Sequence, residues 1–188
     1  RKAGPLVDPA PEPENLETTV EKWSEYLSQY QDATYARRYR NLVEKVRLKE
    51  IEALPDSREL AQAVAVSYAR LLSYKDEYEV ARLLGDDGFA DDIQNCFNGV
   101  SGISYHFAPD RFAGKDPLTG RVRKRAYGAW MTPLLKKTAK LKGLRGTSLD
   151  IFAGTPERKN ERAIIGEYEN LVDDMLDHLS PETHGQAI

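Results

Sequence analysis

Between Arg111 and Arg145 stand eleven lysines and arginines and one acid, Asp116, a local balance of +10. The whole chain carries −3, which leaves −13 for the remainder. Charge separated to this degree bears on partners rather than on fold. Arg121, Arg123, Lys124 and Arg125 lie close enough to meet a single polyanion. That polyanion could be a nucleic-acid phosphate, a coenzyme phosphate or an acidic protein surface. In a strand, Arg121, Arg123 and Arg125 share one face and Lys124 takes the other. Lys136, Lys137, Lys140 and Lys142 add to the same charge downstream. The plain alternative is a solvated face, or one neutralised by the acidic remainder of the chain.

Other chemistry is sparsely represented. His106, His178 and His184 share no ligand spacing with one another or with Cys96. No His-Glu-x-x-His and no Cys-x-x-Cys occurs, so no metal site is predicted. His106 reads as a packed strand residue that could alternatively contact a phosphate. There is no Gly-x-Ser-x-Gly elbow, and Cys96 reads as a buried, inert thiol. A single cysteine also excludes an internal disulfide and an iron–sulfur cluster held by this chain alone. Glu79 with Arg82, and Lys75 with Glu79, have helical ion-pair spacing and predict a salt-bridged surface. Gly85-Asp86-Asp87-Gly88 lacks the elements of a phosphate loop and reads as a helix stop and turn. No catalytic residue is assigned.

The elements that would position the basic residues follow from periodicity. Residues 1–15 hold four prolines and read as an arm or linker; one domain is expected over 16–188. Within 16–84, three helices are predicted. Leu16, Val20, Trp23, Leu27 and Tyr30 mark the first, which ends near Gln31. Asp32 caps the second, which stops near Leu54 ahead of Pro55. Asp56 and Glu59 suggest a capping box for the third, running from Leu60 through Tyr78 to Leu84. Over 99–127, the β-prone run Ile103–Ala108 and the segment Arg121–Tyr127, joined through Asp116-Pro117-Leu118-Thr119-Gly120, predict a small basic β-hairpin. Over 128–180, one helix should turn Trp130, Leu134, Leu135 and Leu141 inward. A last helix begins at Thr155-Pro156 and should bury Ile164, Tyr168, Leu171, Met175 and Leu179. A polar tail follows Pro181. The fold class is therefore α+β, mainly α-helical, with antiparallel helices and a small basic hairpin. No apolar run approaches the ~20 residues of a membrane span. Arg1 opens a polar stretch rather than a signal peptide, and a reducing, cytoplasmic setting is expected.

Several separated segments, in order, resemble the C-terminal region of the large fused indolepyruvate ferredoxin oxidoreductases. They are Tyr30–Ala33, Tyr35–Tyr39, Tyr74–Leu83, Tyr105–Pro109, Asp116–Lys124, Trp130-Met131, Leu141–Asp150, Thr155–Arg158 and Glu161–Glu169. The chain departs from that pattern at Val122 and Ile151, where the family tends to have proline, and near Ala153-Gly154, where it has a Gly-Tyr pair. Those departures touch loop shape more than chemistry. The resemblance implies a parent enzyme that oxidatively decarboxylates aryl 2-oxoacids to acyl-coenzyme A with thiamine diphosphate. It also implies 4Fe-4S clusters that pass electrons to ferredoxin. The thiamine and cluster motifs belong to other regions, so no cofactor is expected in this segment. It further implies a non-catalytic accessory domain that assembles with the other domains of a homo-oligomeric parent, or docks ferredoxin or coenzyme A. On that reading Arg121, Arg123, Lys124 and Arg125 supply docking charge, flanked by Tyr105 and His106. The alternative is a stand-alone polyanion- or nucleic-acid-binding module using residues 121–145. The net charge of −3 and the lack of a nucleic-acid motif disfavour it.

Overall fold

The structure is a computed structural model that describes residues 15–97, 99–107 and 125–188. The arm over 1–14, the Asp116–Gly120 turn, Arg121, Arg123 and Lys124 lie outside the described residues. The chain divides into two compact units, one of them Lys75–Arg145 and the other the residues on either side of it. The architecture is mainly helical α+β, as the patterning predicts.

The flanking unit begins with α1, Leu16–Tyr30, capped by Asn15, whose side chain accepts from Thr18 N at 2.8 Å. Asp32 starts α2, Ala33–Ala53, by accepting from Thr34 N and Tyr35 N at 2.8 and 2.9 Å. A two-residue connection makes α1 and α2 neighbours. The third helix, α3, spans Glu59–Leu72. Its predicted capping box does not form: the N-cap position is Arg58, with no side-chain cap bond. Asp56 sits two residues too early, and the buried Glu50 of α2 replaces it, accepting from Leu60 N and Ala61 N at 2.9 Å each. The long third helix of the sequence reading is in fact two. Ser73 bonds back to Ala69 O at 2.7 Å, and Asp76 then opens a new helix.

The long helix α7, Pro156–Asp177, completes this unit; Thr155 caps it and proline takes the first turn. Its buried side chains are Ile165, Val172 and Leu176. They pack with Leu27, Tyr30, Tyr39, Val46, Leu60 and Leu72 into one core. Tyr168, Met175 and Leu179 pack half-buried against this core as predicted, whereas Ile164 and Leu171 point to solvent and their neighbours Ile165 and Val172 take the buried positions. Each buried aliphatic contributes about 1.5–3 kcal/mol, enough to fix the rotation of the helix. Tyrosines complete the core. Tyr39 stacks on Tyr68 and Tyr68 on Tyr168, with ring centroids 6.1 and 5.7 Å apart. Their hydroxyls are satisfied: Tyr39 donates to Ala65 O at 3.2 Å, and Tyr68 to Glu169, which also takes both arms of Arg38. The expected polar tail instead ends in a short helix, α8, His184–Ala187, with His184 buried.

The other unit, Lys75–Arg145, opens with α4, Glu77–Gly85, and α5, Asp87–Cys96. Gly85–Gly88 ends a helix as predicted, but only Asp86 separates it from the next, which the pattern reading did not anticipate. Strands β1, Tyr105–Phe107, and β2, Arg125–Tyr127, pair antiparallel with Tyr105 opposite Tyr127, His106 opposite Ala126 and Phe107 opposite Arg125. After a 3-10 turn at Ala129–Met131, α6 runs Thr132–Lys140 and tightens into a second 3-10 turn, Leu141–Leu144. Ala81, Tyr105, Met131 and Leu135 form a small core. Gly85 is required where α4 meets α6: a Cβ there would lie 3.2 Å from Lys136 N and 3.3 Å from the Leu135 carbonyl carbon.

Candidate interaction surface

Within Lys75–Arg145, the strand ribbon and α6 together display an aromatic and basic surface. Cross-strand pairs share a face, so Tyr105, Phe107, Tyr127 and Arg125 stand together while His106 and Ala126 occupy the other side. Tyr105 stacks on Phe107 at 5.9 Å, Phe107 tilts on Tyr127 at 6.0 Å, and Tyr127 meets Trp130 edge-on at 6.0 Å. This ladder begins in the core, where the Tyr105 hydroxyl lies 3.0 Å from Thr132 Oγ1, and ends on the surface at Trp130, which is 65% exposed. Leu134 and Leu141, predicted inward with Trp130, are 50% and 45% exposed. Leu135 packs inward as predicted, and Met131 joins it in the core. Trp130, Leu134, Lys137 and Leu141 follow one another by four, three and four residues, so they form one outward stripe. Lys137 and Lys140 are exposed and have no ion-pair partner among the described residues.

Other members of the basic segment are already committed. Arg145 is buried and forks onto Asp76 at 2.5 and 2.8 Å, with its guanidinium 5.6 Å over the Tyr78 ring. Asp76 simultaneously caps α4, accepting from Glu79 N at 2.8 Å. Lys136 pairs with Asp87. Glu79 is fully buried and bound by both arms of the half-buried Arg82 at 2.8 and 2.7 Å, so this pair lies deeper than the predicted surface pair. Lys75 is exposed. Cys96, expected to be buried, is exposed because it ends α5.

The six residues predicted to bind divide accordingly. Arg121, Arg123 and Lys124 lie outside the described residues. Arg125 and Tyr105 share a ribbon face, but Tyr105 is buried. His106 is exposed, not packed, and faces away from Arg125. The residues that pattern reading assigned to the core, Trp130, Leu134 and Leu141, are the ones the fold presents to solvent.

A second constellation went unnoticed in the sequence because its members are 127 and 134 residues apart. Glu50 Oε1 accepts from the Ser57 hydroxyl at 2.7 Å and faces His184 Nε2 at 2.8 Å; the Ser57 oxygen lies 3.3 Å from the same nitrogen. Ser, His and Glu together suggest a nucleophile relay, but the connectivity is wrong for one. A relay places the acid on Nδ1 and the hydroxyl on Nε2. Here both meet Nε2, and the hydroxyl donates to the carboxylate. Burial penalises the Glu50 carboxylate, yet the bonds from His184, Ser57, Ala61 and Leu60 outweigh it and hold the group below the usual carboxylate range. The arrangement caps α3 and ties down α8.

One exposed cysteine cannot supply the thiolates of a cluster. No group of three or more His, Cys, Asp and Glu among the described residues is placed to hold a metal ion. No described helix is long and apolar enough to cross a membrane.

Residues 16–188 match the model of a family described only as a family of unknown function, DUF6537, and the chain belongs to that family. No curated protein and no solved structure matches it.

Proposed function

We propose that the chain is a non-catalytic accessory domain of a cytoplasmic indolepyruvate-type ferredoxin oxidoreductase, and that it contributes docking or assembly. The ordered motifs from Tyr30 to Glu169 support the family assignment. The docking role is carried by one observation: Trp130, Leu134 and Leu141 are exposed in a stripe with Lys137, and Lys140 lies beside it. Tryptophan in a mixed apolar and cationic setting has the composition of a protein-binding hot spot. The lysines select an acidic partner, such as an electron-carrier protein or a neighbouring domain. A free polyanion or nucleic acid is less well supported, since Arg145 is sequestered by Asp76 and aliphatic side chains dominate the stripe.

The test is made in the parent enzyme, comparing Lys137→Glu/Lys140→Glu with wild type. Indolepyruvate-dependent reduction of ferredoxin and of a small dye are assayed side by side. Loss of ferredoxin reduction with dye reduction intact supports carrier docking. Loss of both, with the protein misassembled, supports an assembly role. If neither changes, the docking face is misassigned.

A further inference from the structure

A second stripe matches the first. On the outer side of α7, Ile164 and Leu171 are 44% and 65% exposed, and Glu167 and Asp174 stand exposed along the same line. Leu134, Lys137 and Leu141 are spaced by three and four residues; Ile164, Glu167 and Leu171 repeat that spacing with the charge inverted. In each case the aliphatic pair is seven residues apart, about 10.5 Å along a helix, with one charge between. Neither Glu167 nor Asp174 has an ion-pair partner among the described residues.

We infer that the α6 stripe of one copy of this chain pairs with the α7 stripe of a second copy. Laid side by side in one direction, Leu134 meets Ile164, Lys137 meets Glu167, and Leu141 meets Leu171. Contacts of either stripe with itself would set lysine against lysine or acid against acid, which like-charge repulsion opposes. Only the cross-pairing buries both apolar rows and sets a lysine, Lys137, against an acid, Glu167, with Lys140 and Asp174 adding opposite charge beside that pair. Because the two surfaces differ, the contact is made twice in a closed two-fold dimer, or once per subunit in a ring or open chain. The inference rests on reading α6 as a docking face and names its partner.

The experiment follows self-association of the full chain by sedimentation at low and high salt. Wild type should associate, and less so at high salt, because the Debye length shortens from ~10 Å at 0.1 M to ~3 Å at 1 M. Lys137→Glu/Lys140→Glu and Glu167→Lys/Asp174→Lys should each weaken association by roughly tenfold or more. An equimolar mixture of the two variants should associate again, which misfolded variants would not do; far-ultraviolet dichroism checks the helices. A monomeric wild type, or variants that associate normally, would overturn the pairing. So would failure of the mixture to associate. If the α6 variant alone abolishes ferredoxin reduction in the parent enzyme while wild type does not self-associate, the docking face stands and only its assigned partner fails.

Discussion

Replacing Glu50 by alanine removes the acceptor of four hydrogen bonds at once. Two come from the first turn of α3, Leu60 N and Ala61 N, and a helix cap is worth about 0.5–2 kcal/mol. The other two come from Ser57 and from His184, which is buried. Leaving a buried polar group unmatched costs about 1–3 kcal/mol. Together these give about 1.5–5 kcal/mol, which overlaps the ~3–5 kcal/mol lost when one partner of a buried ionic pair is deleted. That is a large fraction of the ~5–15 kcal/mol available to a domain. Glu50→Gln keeps the shape and one acceptor oxygen, so its cost should be smaller. The assay is urea unfolding followed by far-ultraviolet dichroism, with the slope compared between variants. The acid limb carries a second signature. The Glu50 carboxyl lies below its ordinary value, so its stabilisation is complete above the unfolded pKa of about 4.3 and fades as pH falls through the lower folded value. Wild type should therefore lose stability over that acidic window more steeply than Glu50→Gln. An alanine variant within ~0.5 kcal/mol of wild type, the range of an ordinary surface substitution, would refute the capping argument.

Arg145→Met should destabilise by about 3–5 kcal/mol, because Asp76 would remain buried without its cation. Asp76→Asn/Arg145→Met should be less costly than the sum of the single changes, and a double-mutant cycle in urea measures that coupling. Gly85→Ala gains up to ~1 kcal/mol of helix propensity but presses a methyl against the α6 backbone, where overpacking costs about 1–3 kcal/mol. Net destabilisation is expected, and a more stable variant by thermal melting would show that α4 and α6 can separate freely.

Local chemistry was legible where it was local. Asp32 and Thr155 mark helix starts through bonds to residues within a turn, while Pro156 and Pro55 act locally through a fixed ring and a missing N–H, and all act as read. What pattern reading misassigned depended on distant residues. Glu50 took the capping role from Asp56 because α2 carries it to the start of α3, ten and eleven positions from the residues it caps. Asp76 interrupts an apolar pattern that otherwise runs through it, and its buried fork to Arg145, 69 residues on, is invisible to any short window.

The misassigned helix faces have a more specific cause. Leu134-Leu135, Ile164-Ile165 and Leu171-Val172 are doublets, so a spacing of three and four fits two stripes that differ by one residue. One residue is about 100° of helix rotation, which exchanges a core position for a surface one. Periodicity alone cannot choose between the two stripes; packing does, by turning Leu135, Ile165, Val172 and Leu176 inward. The surplus stripe is then informative in itself. A helix that needs one apolar face and carries two has an extra row exposed to water, and contiguous exposed apolar surface marks a place where something binds. In the inferred pairing, the exposed members of these doublets together with Leu141 are the apolar contacts of the two surfaces, and Lys137 and Glu167 are the inverted charges between them.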